Sequence, residues 1–392
     1  MIGVRFHHAI DEIPPGAWNA LLPDDNPFVD HAFLDGLERH GCVGARQGWR
    51  PHHLGLYDGD CLIAAAPLYL KDNSHGEFVF DWSWASAYAQ HGLDYYPKLL
   101  CAVPYSPVTG PRLLVGQGAN ANQLRLVLIA AVHAEAERLG LSSAHLNFAS
   151  DEDAATFADN DWLPRFDWQF HWRNDGWREF DDFLAALNHK KRKNIRQERR
   201  HVAEAGVHCE IRHGDALDDA EWHALHEFYL TTFDDKSNYP ALTLDFFRHL
   251  GASMPRRVLA VLCRRDSQLI AGALLLRSAT TLYGRYWGYR EHVEGLHFEA
   301  CYYQGIEYCL REGLASFEPG AQGEHKIARG FLPTRTRSFH WVADPRFCAA
   351  IADALKSEAR MLDDYRDELA AHSPYAHTIT HATCPTSCPP SC

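Results

Sequence analysis

The chain has 392 residues, enough for two cores, and with 46% hydrophobic and 12% aromatic content it excludes wholesale disorder. A net charge of −13 with histidine neutral excludes a protein that grips nucleic acid over its whole surface, so any RNA contact falls to a local basic patch. The 25 histidines show no H-E-x-x-H or H-x-H ligand spacing, so no metal site is expected.

The first residues, MIGVRFHHAIDEIPPG, lack a basic segment followed by an apolar one, and no run of about 18 apolar residues occurs anywhere. A cytoplasmic location without a transmembrane segment is expected. Cys42, Cys61, Cys101, Cys209, Cys263, Cys301, Cys309 and Cys348 then read as reduced thiols in apolar surroundings.

In chain order, helices are expected over Asp11–Leu22 and Asp30–His40, then strands His53–Tyr57 and Cys61–Tyr69 around the turn signal Asp58-Gly59-Asp60. Lys71–Leu114 reads as loop. A helix over Ala121–Gly140 and a strand Ser143–Phe148 follow, then a turn-rich stretch, Asp161–Trp177. The plan then repeats. Phe180–Ala205 is helical and stopped by Gly206, followed by strand His208–Arg212 and helices Ala220–Phe233 and Leu244–Leu250. Strands Arg257–Arg264, Leu269–Ser278 and Thr281–Tyr289, a helix Phe298–Glu312 and a late strand Ser338–Val342 complete it. Pro345–His372 reads as a closing helix. Ser373–Cys392, ending TCPTSCPPSC, reads as a disordered Cys/Pro-rich tail whose prolines bar a helix through Cys384, Cys388 and Cys392. The repeat implies an internal duplication with units at 1–160 and 161–372.

Five strings carry chemistry. In Lys190–Arg200, seven of eleven residues are Lys or Arg, and on a helix Arg192, Arg196 and Arg199 share a face. With Lys190 and Lys191 this is either a phosphate- or RNA-binding stripe or a solvated surface. In Phe317–Phe331, glycines lead into His325, Lys326 and Arg329, a base and two cations suited to a developing negative charge, or a charged turn. In Gly295–Glu299, His297 and Glu299 open a helix, where Glu299 acts as a base or complements the helix dipole. Pro67–Trp84 mixes Lys71, Glu77 and Asp81 with Trp82 and Trp84, as a substrate pocket or a packed aromatic cluster. Thr232–Lys236 places Lys236 after an apolar helix, as a substrate contact or an ordinary helix-end charge.

The segments PLYLKDNSHGEFVFDWSWASAY, YYPKLLCAVPYSPVTGPRLL, NHKKRKNIRQERR and LHFEACYYQGIEYCLREGLASFEPGAQGEHKIARGFLP resemble the Fem-like peptidoglycan biosynthesis/recognition proteins, members of the GNAT acyltransferase superfamily. The resemblance runs from about Pro27 to Trp341. It implies an α/β fold with mixed sheets, two tandem GNAT-like acyltransferase domains, a C-terminal helix and the tail. It also implies transfer of an amino acid from aminoacyl-tRNA to a peptidoglycan-type peptide. Lys326 and Arg329-Gly330-Phe331 resemble the Lys-x-x-x-Gly-Phe element of Fem active sites, and Lys190–Arg200 their basic helix.

The expected reaction is therefore N-acyl or aminoacyl transfer to an amine acceptor, with His325 or Glu299 as base and Lys326 and Arg329 stabilising charge. The donor is aminoacyl-tRNA or acyl-CoA and no cofactor is required. Two other readings stand beside it, an acyl-CoA-dependent N-acetyltransferase and a non-catalytic module binding peptide or cell-wall fragments. All four proposed catalytic residues are expected to face one pocket walled by Trp82 or Trp84.

Overall fold

The computed structural model describes residues 2–158, 160–234, 240–321 and 323–376. Lys236 and the tail cysteines, with the expected disorder of that tail, lie outside the described residues. β1 (Ile2–His7), β3 (His53–Asp58) and β4 (Cys61–Ala66) form a three-stranded antiparallel sheet, and β2 (Trp49–Pro51) lies apart from it. Pro67 interrupts the expected strand Cys61–Tyr69: it has no N–H to donate, and β5 (Leu68–Lys71) continues in a different sheet, against β2.

That second sheet has eleven strands and holds both halves of the chain. β5, β6 (Lys98–Cys101) and β7 (Ser143–Leu146) run antiparallel and then parallel. After β8 (Leu163–Arg173), the strands β9 (Val207–His213), β10 (Val258–Arg265), β11 (Gln268–Arg277) and β12 (Thr281–Tyr289) are antiparallel, and β12 pairs in parallel with β13 (Ser316–Glu318). The last strand, β14 (Leu332–Val342), crosses back and inserts between β7 and β8. The order β7-β14-β8-β13 thus carries one strand across: β14 completes the first half's sheet, while β8, which opens the second half, pairs with β14 on one side and β13 on the other. Two sheets are expected from the sequence; this crossing fuses them into one.

Other departures have local causes. Asp11–Leu22 contracts to a helix at Pro15–Asn19, because Pro14 holds an extended ψ of 130° and Pro15 occupies the first helical position. Phe180–Ala205 divides into helices Phe180–Ala186 and His189–Glu204, since Asn188 is extended and its side chain accepts from the Lys191 N–H. The supposed loop Lys71–Leu114 contains a helix, Trp82–Gln90, as well as β6. The turn-rich reading of Asp161–Trp177 is wrong: β8 fills it, alternating Phe166, Trp168, Phe170 and Trp172 with Arg165, Asp167, Gln169, His171 and Arg173. All eight cysteines among the described residues are free thiols; Cys61 is exposed, while Cys42, Cys101, Cys263 and Cys309 are buried as expected.

Helix Ala121–Arg138 packs Leu128, Ile129 and Val132 over Leu99, Cys101 and Leu146 of the first half. In the second half, Ile306 of helix Gln304–Glu312 packs with Leu275, Leu282 and Phe317. The closing helix, Pro345–Ala371, carries the chain from β14 back across β8, and a short strap follows it. There Tyr375 donates to the Gly330 carbonyl at 2.7 Å and the Asn188 N–H donates to the Pro374 carbonyl at 2.8 Å.

Helix Asp219–Asp234 lies unusually close to the sheet because Gly272 and Gly288 face each other across β11 and β12. A Cβ on Gly288 would sit 1.8 Å from the Phe228 carbonyl oxygen, a backbone atom that cannot swing aside. Gly288→Ala is expected to lower stability by about 3 kcal/mol, the upper range for overpacking a tight site, read from urea unfolding midpoints. Gly118→Ala, with nothing within 4 Å, serves as the neutral comparison. Equal midpoints for the two variants would show that helix and sheet are not held this close.

Candidate active site at the junction of the two halves

The site begins where two parallel strands part. β12 and β13 pair only over Thr281–Tyr283 and Ser316–Glu318; β12 then runs on to Tyr289 while the other chain turns away at Pro319. A cavity of about 80 Å³ opens in the gap, lined by Gly284–Trp287, Pro319, His297, Cys301 and Tyr302. Three of these residues come from one interrupted helix. Leu296–Phe298 is α-helical, Glu299–Tyr303 forms a π-turn and Gln304–Glu312 resumes the α-helix. The wider π-turn shifts the register of Cys301 and Tyr302 relative to an unbroken α-helix, a distortion common at functional sites. Gly295 starts the helix with φ of 83° and lies too near the Glu198 carbonyl for any side chain.

Within the site, the Tyr302 hydroxyl hydrogen-bonds His325 Nε2 at 2.8 Å and approaches His297 Nε2 at 3.4 Å, while His297 Nδ1 lies 3.6 Å from Cys301 Sγ. Burial pushes His297 down to about 4, helped by neighbouring His325, Arg329 and Lys326. Burial, Arg329 and Lys326 also lower His325, so both imidazoles are uncharged at neutral pH and can accept a proton. The Lys326 amine donates to the Gly320 carbonyl at 2.7 Å, and its burial lowers it to about 8. Burial raises the Cys301 thiol, leaving it protonated and poorly nucleophilic.

The first half has the corresponding parallel pair, β6 and β7, but its gap is filled. Arg112, fully buried, donates from Nε to the Asn147 carbonyl at 3.0 Å and from Nη2 to the Val108 carbonyl at 2.5 Å. Asp153 accepts the Arg112 and Leu113 N–H groups at 2.6 and 3.2 Å.

A larger cleft of about 620 Å³ lies over the β8–β14 pair. Its floor is β8, with Arg165–Phe170, and β14, with Thr336 and Ser338. One rim is Phe78–Phe80 from the first half, another Gly323–His325 from the second, and the closing helix contributes Glu358 and Tyr365. His325 therefore faces the cleft while bonded to Tyr302 of the smaller cavity.

The single pocket expected from sequence does not form. His325, Lys326 and His297 gather at the junction. Glu299 lies apart, buried, accepting from Arg199 at 3.0 and 3.1 Å and from Gln304 at 2.7 Å. The Arg329 guanidinium is engaged by Glu198 at 2.6 and 3.2 Å, by the His325 carbonyl at 2.8 Å and by the Phe298 ring face. Lys71, Glu77 and Asp81 are buried under the first half. There Lys98, not foreseen in the sequence, pairs with Glu77 at 2.8 Å and with Asp81; Lys71 donates to Asn73 and the His75 carbonyl, both at 3.2 Å. Trp84 belongs to a packed cluster with Tyr88 and Phe347, and Trp82 is exposed on the surface. From that segment only Phe78, Val79 and Phe80 reach the cleft. On the basic helix, Lys190, Arg196 and Arg200 are exposed, Lys191 and Arg192 half-buried. A shallow groove follows His189, Arg192, Lys193, Arg196, Gln197 and Arg200. Arg199 leaves the expected stripe and turns inward to Glu299 and Glu307. Among the described residues, no group of three or more His, Cys, Asp or Glu side chains is placed to hold a metal ion.

A family model described as peptidoglycan biosynthesis/recognition, FemAB-like, matches residues 9–377. No curated protein matches the sequence. Among solved structures, the crystal structure of FemX is similar at 10% identity over 89% of this chain and 100% of its own, with a TM-score of 0.51. The C-terminal domain of a proposed lysylphosphatidylglycerol synthetase from Agrobacterium fabrum is similar at 12% identity, covering 86% and 94%, with a TM-score of 0.52. A tandem GNAT protein from the clavulanic acid biosynthesis pathway matches at 14% identity over 88% and 99%, with a TM-score of 0.45. At these identities the likeness is one of fold alone.

The charge relations within the cluster are open to NMR. Because Lys326 lowers both His297 and His325, Lys326→Met is expected to raise the titration midpoints of both imidazoles, while His145, lowered by burial, Lys98 and Arg165 and not by Lys326, stays where it is. Unchanged midpoints at His297 and His325 would separate the lysine from the imidazole pair.

Proposed function

The chain belongs to the FemAB-like family of peptidoglycan biosynthesis/recognition proteins, and on that premise we propose that it is an N-acyl or aminoacyl transferase acting on an amine acceptor. The observation that carries this reading is the position of His325, in the wall of the central cleft and hydrogen-bonded to a tyrosine of the splayed-strand cavity. The activated carbonyl of the donor enters between β12 and β13, and the acceptor amine occupies the central cleft. The neutral amine attacks the carbonyl; His325 accepts its proton, and the donor's alcohol or thiol leaves protonated. The Lys326 ammonium, fixed on the Gly320 carbonyl, stabilises the oxyanion, and holding both substrates across one histidine supplies much of the acceleration. No cofactor is called for, since the donor arrives activated.

For the donor, the groove on helix His189–Glu204 favours a phosphate-bearing molecule, and aminoacyl-tRNA uses a longer stripe of phosphates than acyl-CoA. The acceptor is a peptide of the peptidoglycan type, and the reaction is placed in the cytoplasm. No helix among the described residues is long and apolar enough to cross a membrane.

Aminoacyl-tRNA and acetyl-CoA, each offered with a muropeptide and followed by mass spectrometry of the amide product, test the assignment directly. The rate should rise as His325 deprotonates below pH 6.5 and fall above about 8 as Lys326 loses its charge. Lys326→Gln is expected to remove the alkaline limb and cost about 10²–10³-fold in rate, the loss typical of one oxyanion donor, with the fold intact. A variant that keeps full activity and the same pH profile rules out this role.

Donor binding should weaken steeply with salt, and the double substitution Arg192→Gln with Arg196→Gln should flatten that dependence, by about one phosphate contact per arginine. An unchanged slope would make the stripe an ordinary solvated surface.

A further inference from the structure

Cys209 and Cys263 stand opposite each other in the antiparallel pair β9–β10, so both side chains lie on one face of the sheet. Their sulfurs are 3.0 Å apart, too close for any atom between them. Other thiols meet different partners: Cys42 the Thr243 hydroxyl at 3.9 Å, Cys101 the Arg112 carbonyl at 3.6 Å, Cys309 the Ser316 carbonyl at 3.8 Å and Cys301 the His297 ring at 3.6 Å. The two members of the pair differ in access. Cys263 is fully buried in the second half's core, whereas Cys209 is half-buried and lines a groove of about 330 Å³ with Arg199, Arg200, Val207 and Glu299. β9 is also the end strand of the eleven-stranded sheet, paired only on its β10 side among the described residues.

We propose that Cys209 and Cys263 are a redox-active dithiol, which a hydroperoxide converts into a reversible disulfide that fastens the edge strand β9 to β10. A small hydroperoxide reaches Cys209 through the groove. The Cys209 sulfur attacks one peroxide oxygen, the O–O bond breaks, and the thiol proton leaves on the departing alkoxide as an alcohol (water where the oxidant is hydrogen peroxide). Cys209 is then a sulfenic acid, oxidised by two electrons, a species that condenses with a neighbouring thiol. The Cys263 sulfur, already in contact, attacks the sulfenic sulfur; the S–S bond forms, the S–O bond breaks, and the Cys263 proton goes with the hydroxyl as water. The contact with Cys209, together with burial, raises the Cys263 thiol well above its usual range, so the core thiol stays protonated and is oxidised only through its neighbour. A free thiol such as glutathione reverses the bond by exchange at the more accessible Cys209 sulfur. In a reducing compartment the link therefore lasts only while the oxidant does, the behaviour of a sensing disulfide rather than a structural one.

The full-length protein, titrated with hydrogen peroxide, then denatured, alkylated and mapped by mass spectrometry without reduction, tests this directly. Exposed Cys61 shows when the oxidant has been sufficient. By the dose that oxidises Cys61, the peptides carrying Cys209 and Cys263 are expected to be joined and lighter by two hydrogens, and dithiothreitol should separate them. Cys263→Ala should leave Cys209 as a sulfenic acid that dimedone traps, while Cys209→Ser should leave Cys263 reduced. Amide exchange over Val207–His213 should slow several-fold in the oxidised protein, since the fastened edge opens less often. Both thiols still reduced at a dose that has consumed Cys61 overturn the proposal. So does a disulfide from either one to a different cysteine, or a Cys209 carried to sulfinic acid with no cross-link. A disulfide that leaves the β9 exchange unchanged overturns its role as a fastening.

Discussion

The antiparallel pairing of β8 with β14 is the contact on which the other features depend. It runs from Leu163↔His340 to His171↔Leu332 and joins the strand that opens the second half to the one that closes it and pairs with the first. Without it β14 and β8 would each present an unpaired edge, costly inside a protein and prone to wrong partners in water. With it, the sheet reads nearly the same from its centre outward in both directions: β14, β7, β6, β5 on one side and β8, β13, β12, β11 on the other. Rims from both halves are thereby brought to one cleft floor, and neither half could build that cleft by itself.

Duplication does not mean equivalence. At the first parallel junction charged groups are turned inward and paired, although the buried Asn147 side-chain amide finds no hydrogen-bond partner among the described residues. Arg112 is wrapped in carbonyls, and Lys98 sits on Glu77 and Asp81, whose carboxylates burial would otherwise neutralise. Beside them His145 and His340 meet Nδ1 to Nδ1 at 2.7 Å across β7 and β14, both uncharged, so the crossing strand is fastened by a polar contact as well as by its ladder. At the second junction the same architecture leaves space, and the π-turn aims Cys301 and Tyr302 into it.

Most of the regular elements are legible in the sequence because local chemistry sets them: a helix opening at Asp30, Gly140 and Gly206 as stops, Asp58-Gly59 as a hairpin turn; the cap at Asn188, which divides Phe180–Ala205, is missed. β8 is missed as well: its aromatic and polar residues alternate as in a strand, but the density of Trp, Asp and Asn around it reads as turns. β14 was visible only at its apolar end, Ser338–Val342, because Leu332–Arg337 is polar and gains its pairing from β8. In the site, His325, Lys326 and His297 stand out as reactive types in unusual company. Tyr302 does not, since nothing in the local pattern announces a π-turn. The arginines and carboxylates were recognised as charged but not as paired: Arg199 with Glu299 and Arg329 with Glu198 are matched over about a hundred residues or more of chain, which no spacing rule reaches.

The crossing strand also sets a timetable. His145 on β7 and His340 on β14 are 195 residues apart. At roughly 5–20 residues per second of synthesis, that is about 10–40 s during which the first half has emerged with its edge bare. Isolated helices and hairpins form in microseconds, so local order is complete long before the edge can be covered. The nascent first half is therefore an intermediate with an open strand, and its protection in that interval falls to the ribosome's surroundings rather than to its own sequence.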